Sequence, residues 1–596
     1  MSLYVDRTLE RETSSSDLAV RKQGKAPADE SVWALFRHFV AVYPARSLSI
    51  IVLLSVAGLA EGFSVFALLP LINLSVAGDA ASAGGVGAWL TQAVASVGLK
   101  PSIGTFLVVI VVGIGLKALV TLIAMREVGY AVGRLMTELR QRLIVALMNA
   151  RWSYFTERPL GIFANAMGAE TIRAGATYQQ SARLAAAAVQ AVVYGVATLV
   201  ISWRIALFAV FAGLVGVIVF RRAVAMAQES GIRQTELMKS IAVRTTDMLQ
   251  GIKAIKAMGA QRSAMPLLDH EIRDLDDAQR KQVWSGEFLR VAQEPMLVVF
   301  LAIAMYGAIE FSGEKLPTMM VIAVLFYRLF NRFQVMLEIY QVVCTGASAY
   351  WSVHRLCSDA EDQRERSSDR TLTARVAPLI ELRDVSFAYG EKAVLDGVSL
   401  RIEPGEFVAL CGASGGGKTT LLDTISGLLA PSHGGVVIDG NDLREFDLTS
   451  WRHCIGYVPQ ELLLLHDTVY QNVCLGDPAI SRAAAEEALR AAEIWDHIAT
   501  LPDGLDTLVG ERGSRFSGGQ RQRISLARAL ARKPAVLLLD EITAALDRNT
   551  EHEICATLRR LAGRMTIIAV SHQPEMLRVA DRVFEFTNGQ AVQVSR

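Results

Sequence analysis

The 596-residue chain lacks any excess of charge, with 60 lysines and arginines against 59 aspartates and glutamates. A partner held by bulk positive potential, nucleic acid above all, is therefore not expected. Cysteine is scarce as well: Cys344, Cys357, Cys411, Cys454, Cys474 and Cys555 are the only six, and they show no metal-ligand spacing. Neither a zinc site nor a disulfide framework is implied, and the six read as thiols of a reducing compartment. An amino-terminal apolar core is also missing. Residues 1–30 are polar and so are no secretory signal, while Asp6, Glu10, Glu12, Asp17, Asp29 and Glu30 argue against an acid-poor transit peptide. They read as a disordered cytosolic tail.

Apolar sequence, by contrast, is abundant: 52% of the chain is hydrophobic, and the longest apolar runs crowd into residues 47–345. A bilayer core needs roughly 20 apolar residues in a helix. Six stretches qualify, near 47–75, 105–128, 182–202, 204–221, 292–312 and 317–343. Ahead of them, SVWALFRHFVAVYP places Trp33, Phe36, Val40 and Tyr43 on one helical face behind Ser31, a candidate N-cap. That suits a helix lying in the membrane interface, and equally the cytosolic start of the first span. The segments before span one, at 126–173 and at 221–290 are basic, whereas 76–104 contains only Lys100, 202–204 only Arg204 and 313–316 only Lys315. This asymmetry puts both termini in the cytosol. The two long inner segments continue a helical pattern, broken at SYFTERPLG (153–161) and near AMGAQRSAM (257–265).

From about residue 379 short apolar strands alternate with helices, the mark of an α/β domain. The expected organisation is a tail over 1–30, an all-α six-helix transmembrane domain over 31–345, a linker over 346–378 containing EDQRERSSDR, and a nucleotide-binding domain over 379–596. Within the last, VALCGASGGGKTTLLDTI reads as strand, glycine loop and helix. In a P-loop of that kind the backbone N–H groups of Gly412, Ala413, Ser414, Gly415, Gly416, Gly417 and the helix start at Lys418, Thr419 and Thr420 face phosphates. Lys418 would reach the β- and γ-phosphates, and the Thr419 hydroxyl would hold Mg²⁺. AVLLLDE (535–541) is a buried-strand run ending in two carboxylates: Asp540 suits the Mg²⁺ shell, and Glu541 is placed to orient or activate a water. A second glycine turn, RFSGGQRQRISLARAL, sets Ser517, Gly518, Gly519 and Gln520 at a helix start as another nest of donors.

With that turn between the P-loop and the carboxylate pair, residues 379–596 resemble an ATP-binding cassette (ABC) protein. The resemblance implies that Tyr389 in FAYG stacks on adenine and that Gln460 in YVPQ contacts Mg²⁺ and the water. It further implies that Asp547 in TAALD communicates across a dimer and that His572 in AVSHQ faces the γ-phosphate. In that family the signature turn of one subunit closes over ATP held on the P-loop of another, so the implied partner is a second copy or a related half-transporter. Six spans ahead of the cassette, and VGERG (509–513) before the signature, are similar to the exporter branch. The tips at 153–161 and 258–265 then look like coupling helices. Phe516 stands where the family usually has leucine and Gly416 where it often has serine; both leave the backbone donors unchanged.

Charges within the spans are functional candidates by default. Glu61, Lys117, Arg328 and Arg332 are such charges, with Lys117 and Arg328 expected near mid-depth and Glu61 about two turns further out at about 1.5 Å per residue. One reading pairs Glu61 with Lys117 and lines a cavity for an anionic head group with the arginines; the other lets Arg332 reach the inner interface and makes Arg328 a generic feature of its helix. The stretch AEGFSVFALLPLI also resembles exporters of lipid-linked sugars and related amphiphiles. The expected function is ATP-driven export or flipping of an amphiphile by a multi-pass protein of a bacterial cytoplasmic membrane, with an ATP-gated channel or regulator as the alternative.

Overall fold

In a computed structural model the protein is described over residues 32–594, apart from 43, 69, 72–73, 75–85, 97, 99, 202, 313–315, 366–367, 373–376, 544–547 and 588. The tail, Ser31, Tyr43 and Asp547 thus lie outside the described residues. The chain divides into two compact units, Met1–Ala150 with Tyr154–Gln363 and Arg364–Arg596 with Arg151–Ser153.

The first unit is helical. A short helix α1 (Val32–Val42) precedes α2 (Pro44–Phe66), α3 (Ile103–Met148), α4 (Thr171–Ile201), α5 (Trp203–Gln250), α6 (Pro266–Ser312) and α7 (Leu316–Asp362). At 46 residues α3 is roughly 70 Å long, more than twice the depth of a bilayer core. Among the described residues five helices are long and apolar enough to cross a membrane, within 44–64, 103–148, 160–200, 203–250 and 261–307. The helix α7, which carries Arg328 and Arg332, is not one of the five. Leu107, Val108, Val111 and Val112 of α3 are exposed, as lipid-facing side chains would be.

The helix α1 is two-faced: Leu35 and Phe39 are buried, while Trp33 and Val40 are exposed. Both inner hairpins break at the expected places. After α3 the chain makes Trp152–Thr156 and then Leu160–Asn165, entered through Pro159. After α5 it makes Ile252–Ala257 and Gln261–Ala264. A π-type turn at Ala166–Glu170 leads into α4.

The stretch expected to be linker over 346–378 differs from that reading. The helix α7 continues to Asp362 because Ala347, Tyr350, Trp351, Val353, Cys357 and Ala360 recur at helical spacing and are buried in the core of the first unit. Only beyond Gln363 does the chain leave that unit.

The second unit is α/β. Its strands are β1 (Ile380–Tyr389), β2 (Lys392–Ile402), β3 (Phe407–Gly412), β4 (His433–Ile438), β5 (Asn441–Asp442), β6 (Ile455–Val458), β7 (Val536–Asp540), β8 (Thr566–Val570), β9 (Arg582–Thr587) and β10 (Gln590–Val594). They form a four-stranded sheet in the order β2-β1-β4-β5 and a six-stranded sheet in the order β10-β9-β3-β8-β7-β6. Strands β3, β8, β7 and β6 run parallel, and β7 is buried at every residue. Such strands are covered on both faces, which is why AVLLLD carries no alternation. The parallel register decides where the chemistry goes. The loop after β3, the residues after β7 and those after β8 all emerge at the same carboxyl edge of the sheet.

Candidate functional site

At that edge β3 passes through a glycine loop into helix α8 (Lys418–Ile425). Gly417 caps α8 with φ of 97°, in the left-handed region, and a Cβ there would lie 2.8 Å from the Val394 carbonyl oxygen. Gly412 is still tighter, since a Cβ would come within 2.3 Å of the Phe586 carbonyl oxygen. Only glycine satisfies both positions. The loop through Ala413, Ser414, Gly415 and Gly416 closes by a hydrogen bond from the Gly416 N–H to the Ala413 carbonyl, 3.1 Å. Lys418 is buried, its ammonium donating to the carbonyls of Gly412 (2.7 Å) and Ala413 (2.8 Å). Thr420 is also buried, behind the loop.

Thr419 hydroxyl donates to Asp540 Oδ1 at 3.3 Å, across from α8 to the end of β7. Asp540 is buried, and desolvation raises its carboxyl above the ordinary range. Asp423, one turn along α8, is pushed up to about 6 by burial and then by the neighbouring Asp540. A buried and a half-buried carboxylate thus sit near one hydroxyl, with Lys418 as the neighbouring cation for Asp540. This donor set fits a hard divalent cation, which favours oxygen ligands.

Glu541 follows with φ of 49°, a left-handed conformation that a non-glycine residue adopts at a cost of order 1–3 kcal/mol. That backbone turn leaves the side chain at the edge, where Gln460 Nε2 donates to its Oε2 at 2.9 Å and His572 Nε2 lies 3.6 Å from its Oε1. Residues 460, 541 and 572 follow β6, β7 and β8, so the parallel sheet brings them together. Tyr389, at the end of β1, is exposed and meets Phe387 edge-on at 4.9 Å.

The second glycine turn is built differently. Ser517 caps helix α9 (Gly518–Leu530) with a capping box: its hydroxyl accepts from the Gln520 N–H (3.3 Å), and its N–H donates to Gln520 Oε1 (2.8 Å). Two of the donors assigned to an anion nest are thereby taken internally. The flanking arginines are committed too. Arg515 and Arg521 donate to the carbonyls of Leu508 and Arg512, and Arg523 pairs with Glu553. Phe516, in place of leucine, is buried in the core beside His497.

In the first unit Glu61 is buried, and its Oε1 receives three cations: Lys117 at 2.5 Å, Arg328 at 3.3 Å and Arg332 at 3.6 Å. The expected offset of about two turns between Glu61 and the others does not keep them apart: α2 packs against α3 and α4, and the long side chains of Lys117, Arg328 and Arg332 all reach the Glu61 carboxylate. Tyr194 of α4 adjoins the same carboxylate with its hydroxyl buried. Sequence reasoning searched for charges and so passed over this phenol, as it passed over Asp423, whose partner is 117 residues away in Asp540.

A family model for the ABC transporter matches residues 395–544, and one for the ABC transporter transmembrane region matches residues 48–333. The chain belongs to the ABC transporter family. Its first unit is accordingly a multi-pass membrane domain and its second an ATP-binding cassette. The solved structure of a bacterial Atm1-family ABC exporter with ATP bound is similar over 94% of this chain and 96% of that chain, with a TM-score of 0.76 and 26% identity. Curated relatives include an ATP-dependent lipid A-core flippase of Syntrophus aciditrophicus (strain SB), 40% identical over 42% of this chain and 41% of that protein. A protein of the same name from Saccharophagus degradans (strain 2-40 / ATCC 43961 / DSM 17024) is 32% identical over 58% of this chain and 59% of that protein. The match spans about two fifths of the length of the first of these relatives and about three fifths of the second.

Proposed function

We propose that the protein is an ATP-hydrolysing exporter that moves or flips an amphiphile, with a membrane domain that runs on through α7 to Gln363, a cassette over 379–596 and both termini in the cytosol of a bacterial cell. The observation that carries this reading is the setting of Glu541. A carboxylate in a left-handed turn, held by Gln460 and faced by His572 beside Asp540 and Thr419, is equipped to take a proton from an attacking water. A chain that only sensed ATP would not need it. Lys418, Thr419 and the loop N–H groups bind the β- and γ-phosphates, and Tyr389 supplies the adenine platform. Thr419, Asp540 and Gln460 would hold Mg²⁺, which neutralises phosphate charge when bound.

The Ser517 turn completes the site from a second copy, or from a related half-transporter, through the N–H groups of Gly518 and Gly519; by the family resemblance Asp547 would communicate across that dimer. Closure of two cassettes on ATP would reorient the spans and hydrolysis would reset them. The names of the curated relatives favour a lipid-like amphiphile. Lys117, Arg328 and Arg332 around Glu61 favour one with an anionic head.

The test is Glu541→Gln in reconstituted vesicles. Phosphate release should fall by about 10²–10⁴-fold, with ATP retained in a dimer and transport of labelled lipid abolished. Hydrolysis at the unaltered rate would remove Glu541 from the chemistry. Ion current that persisted under the block would establish a gate instead of a pump.

A further inference from the structure

The four charges in the membrane domain do not balance. Lys117 meets Glu61 Oε1 at 2.5 Å and by itself neutralises that carboxylate. Arg328 shares the same oxygen at 3.3 Å, while Arg332 stands at 3.6 Å, beyond hydrogen-bond range. The second oxygen, Oε2, is buried away from all three cations' hydrogen bonds, and the neighbour positioned to reach the carboxylate there is an uncharged phenol, the Tyr194 hydroxyl. Three cations thus converge on one oxygen of a single carboxylate, a surplus of two positive charges that the phenol does not offset.

Exposure sorts the cations further. Side-chain exposure is 4% for Glu61, 22% for Lys117, 21% for Arg332 and 41% for Arg328. Arg328 and Arg332 are four residues apart on α7 and share a face. Both guanidinium groups retain donors in the planar fork that matches phosphate oxygens. Two surplus positive charges within the transmembrane region, which the family model carries to residue 333, are costly unless a compensating anion or water reaches them.

We infer that the Arg328–Arg332 pair is the receiving site for a dianionic phosphate head group, a phosphomonoester or diphosphate on an amphiphile, and that Glu61 is a resident counter-anion from which the head group takes the two arginines. A phosphomonoester carries about −1.5 to −2 charges at neutral pH, which matches the surplus. Lys117 stays with Glu61 throughout, and the long contacts of the arginines are the ones that yield. The inference rests on the exporter reading and adds what the head must be and what competes with it.

The test uses the full-length protein in phosphatidylcholine vesicles, with ATP hydrolysis measured against added phosphatidic acid, phosphatidylserine or inorganic phosphate. Phosphatidic acid should stimulate the unaltered protein more than phosphatidylserine does, and inorganic phosphate alone should not stimulate. Glu61→Gln removes the competing charge at constant shape and should reach half-maximal stimulation at about tenfold less phosphatidic acid. Glu61→Asp, which keeps a carboxylate, should stay near the unaltered protein. An unchanged midpoint in Glu61→Gln overturns the competition. Loss of stimulation in Glu61→Gln that Glu61→Asp restores makes Glu61 an organiser of the site, and equally overturns it. Stimulation by inorganic phosphate alone assigns the arginines to a free anion and not to a lipid. If no anionic lipid stimulates while a neutral amphiphile does, the exporter reading stands and the anion site falls; if nothing stimulates and no lipid is moved, both fall.

Discussion

The cassette and the membrane domain each prepare for negative charge, and they do so with opposite materials. In the cassette the receiving surface is backbone: a loop forced open by glycines at 412 and 417, with one lysine meanwhile held by two carbonyls. In the membrane domain the surface proposed to receive it is side chains, three cations from α3 and α7 gathered on a carboxylate from α2. A backbone cradle is rigid and carries little net charge, so it can stand open beside water at small cost. A side-chain cluster inside a span cannot, and it has to carry its own counter-ion. The first site is set by local conformation, the second by how distant helices pack.

The sharpest way to break this contrast is to put a single methyl group into the backbone cradle. Gly417→Ala combines a left-handed φ of 97° with a Cβ 2.8 Å from the Val394 carbonyl, so the loop must distort. ATP affinity, followed with a fluorescent analogue, should fall by at least about tenfold, since 1.4 kcal/mol of misplacement suffices for that. Hydrolysis should fall with it, while the charge cluster around Glu61 is left as it was. A Gly417→Ala protein that bound ATP normally would show that the cradle is not set by this residue's backbone.

The same contrast explains what could be read from the residues alone. Strand, loop and carboxylates of the cassette follow from short contiguous stretches, GASGGGKT and AVLLLDE, whose geometry is local. Gln460, Glu541 and His572 converge as the parallel order of β6, β7 and β8 requires. The membrane cluster is visible in the sequence only as scattered charges, because positions 61, 117, 328 and 332 lie on three helices and meet only through tertiary packing, for which no local pattern exists. Tyr194, uncharged, gave no signal at all. The linker was placed too early for a related reason: YWSVHRLCSDAED reads as charged coil until its apolar positions find a core to fill. At the signature turn, residues 517–520 read as a nest of donors, yet the capping box takes the N–H groups of Ser517 and Gln520, and the flanking arginines tie the turn to Leu508, Arg512 and Glu553.

A second substitution sharpens the distinction within the cassette. Ser517→Ala removes the hydroxyl that accepts from the Gln520 N–H and with it half of the capping box. The loss should be about 1 kcal/mol of helix stability, or about 2–4 °C in the melting temperature of a domain this size. ATP should still bind the P-loop with nearly unaltered affinity, because no Ser517 contact reaches Lys418 or Thr419 among the described residues. Hydrolysis should fall several-fold through the misplaced turn. Equal losses of binding and hydrolysis would mean that the two glycine turns are not separate parts.

The smallest expected effect concerns charge that the membrane domain excludes. His38 of α1 packs against His354 of α7 at 5.3 Å between ring centroids, with Tyr350 and Trp351 around them. Arg142 of α3 approaches His354 Nδ1 at 3.4 Å and is itself held by Glu361 through two bonds of 2.7 Å. Burial first, and then the Arg142 charge, lower both histidines below their ordinary value of 6.5. The undocked state then binds protons more readily than the docked one. Docking of α1 is therefore fully stable above about pH 6.5 and weakens as the pH falls below it. Melting of the detergent-solubilised protein should drop between pH 7.5 and 5.5, and His38→Phe, which keeps the aromatic contacts with Tyr350 and Trp351, should flatten part of that drop. A pH profile untouched by His38→Phe would show that the acid sensitivity lies elsewhere and that α1 is held by Leu35 and Phe39 alone.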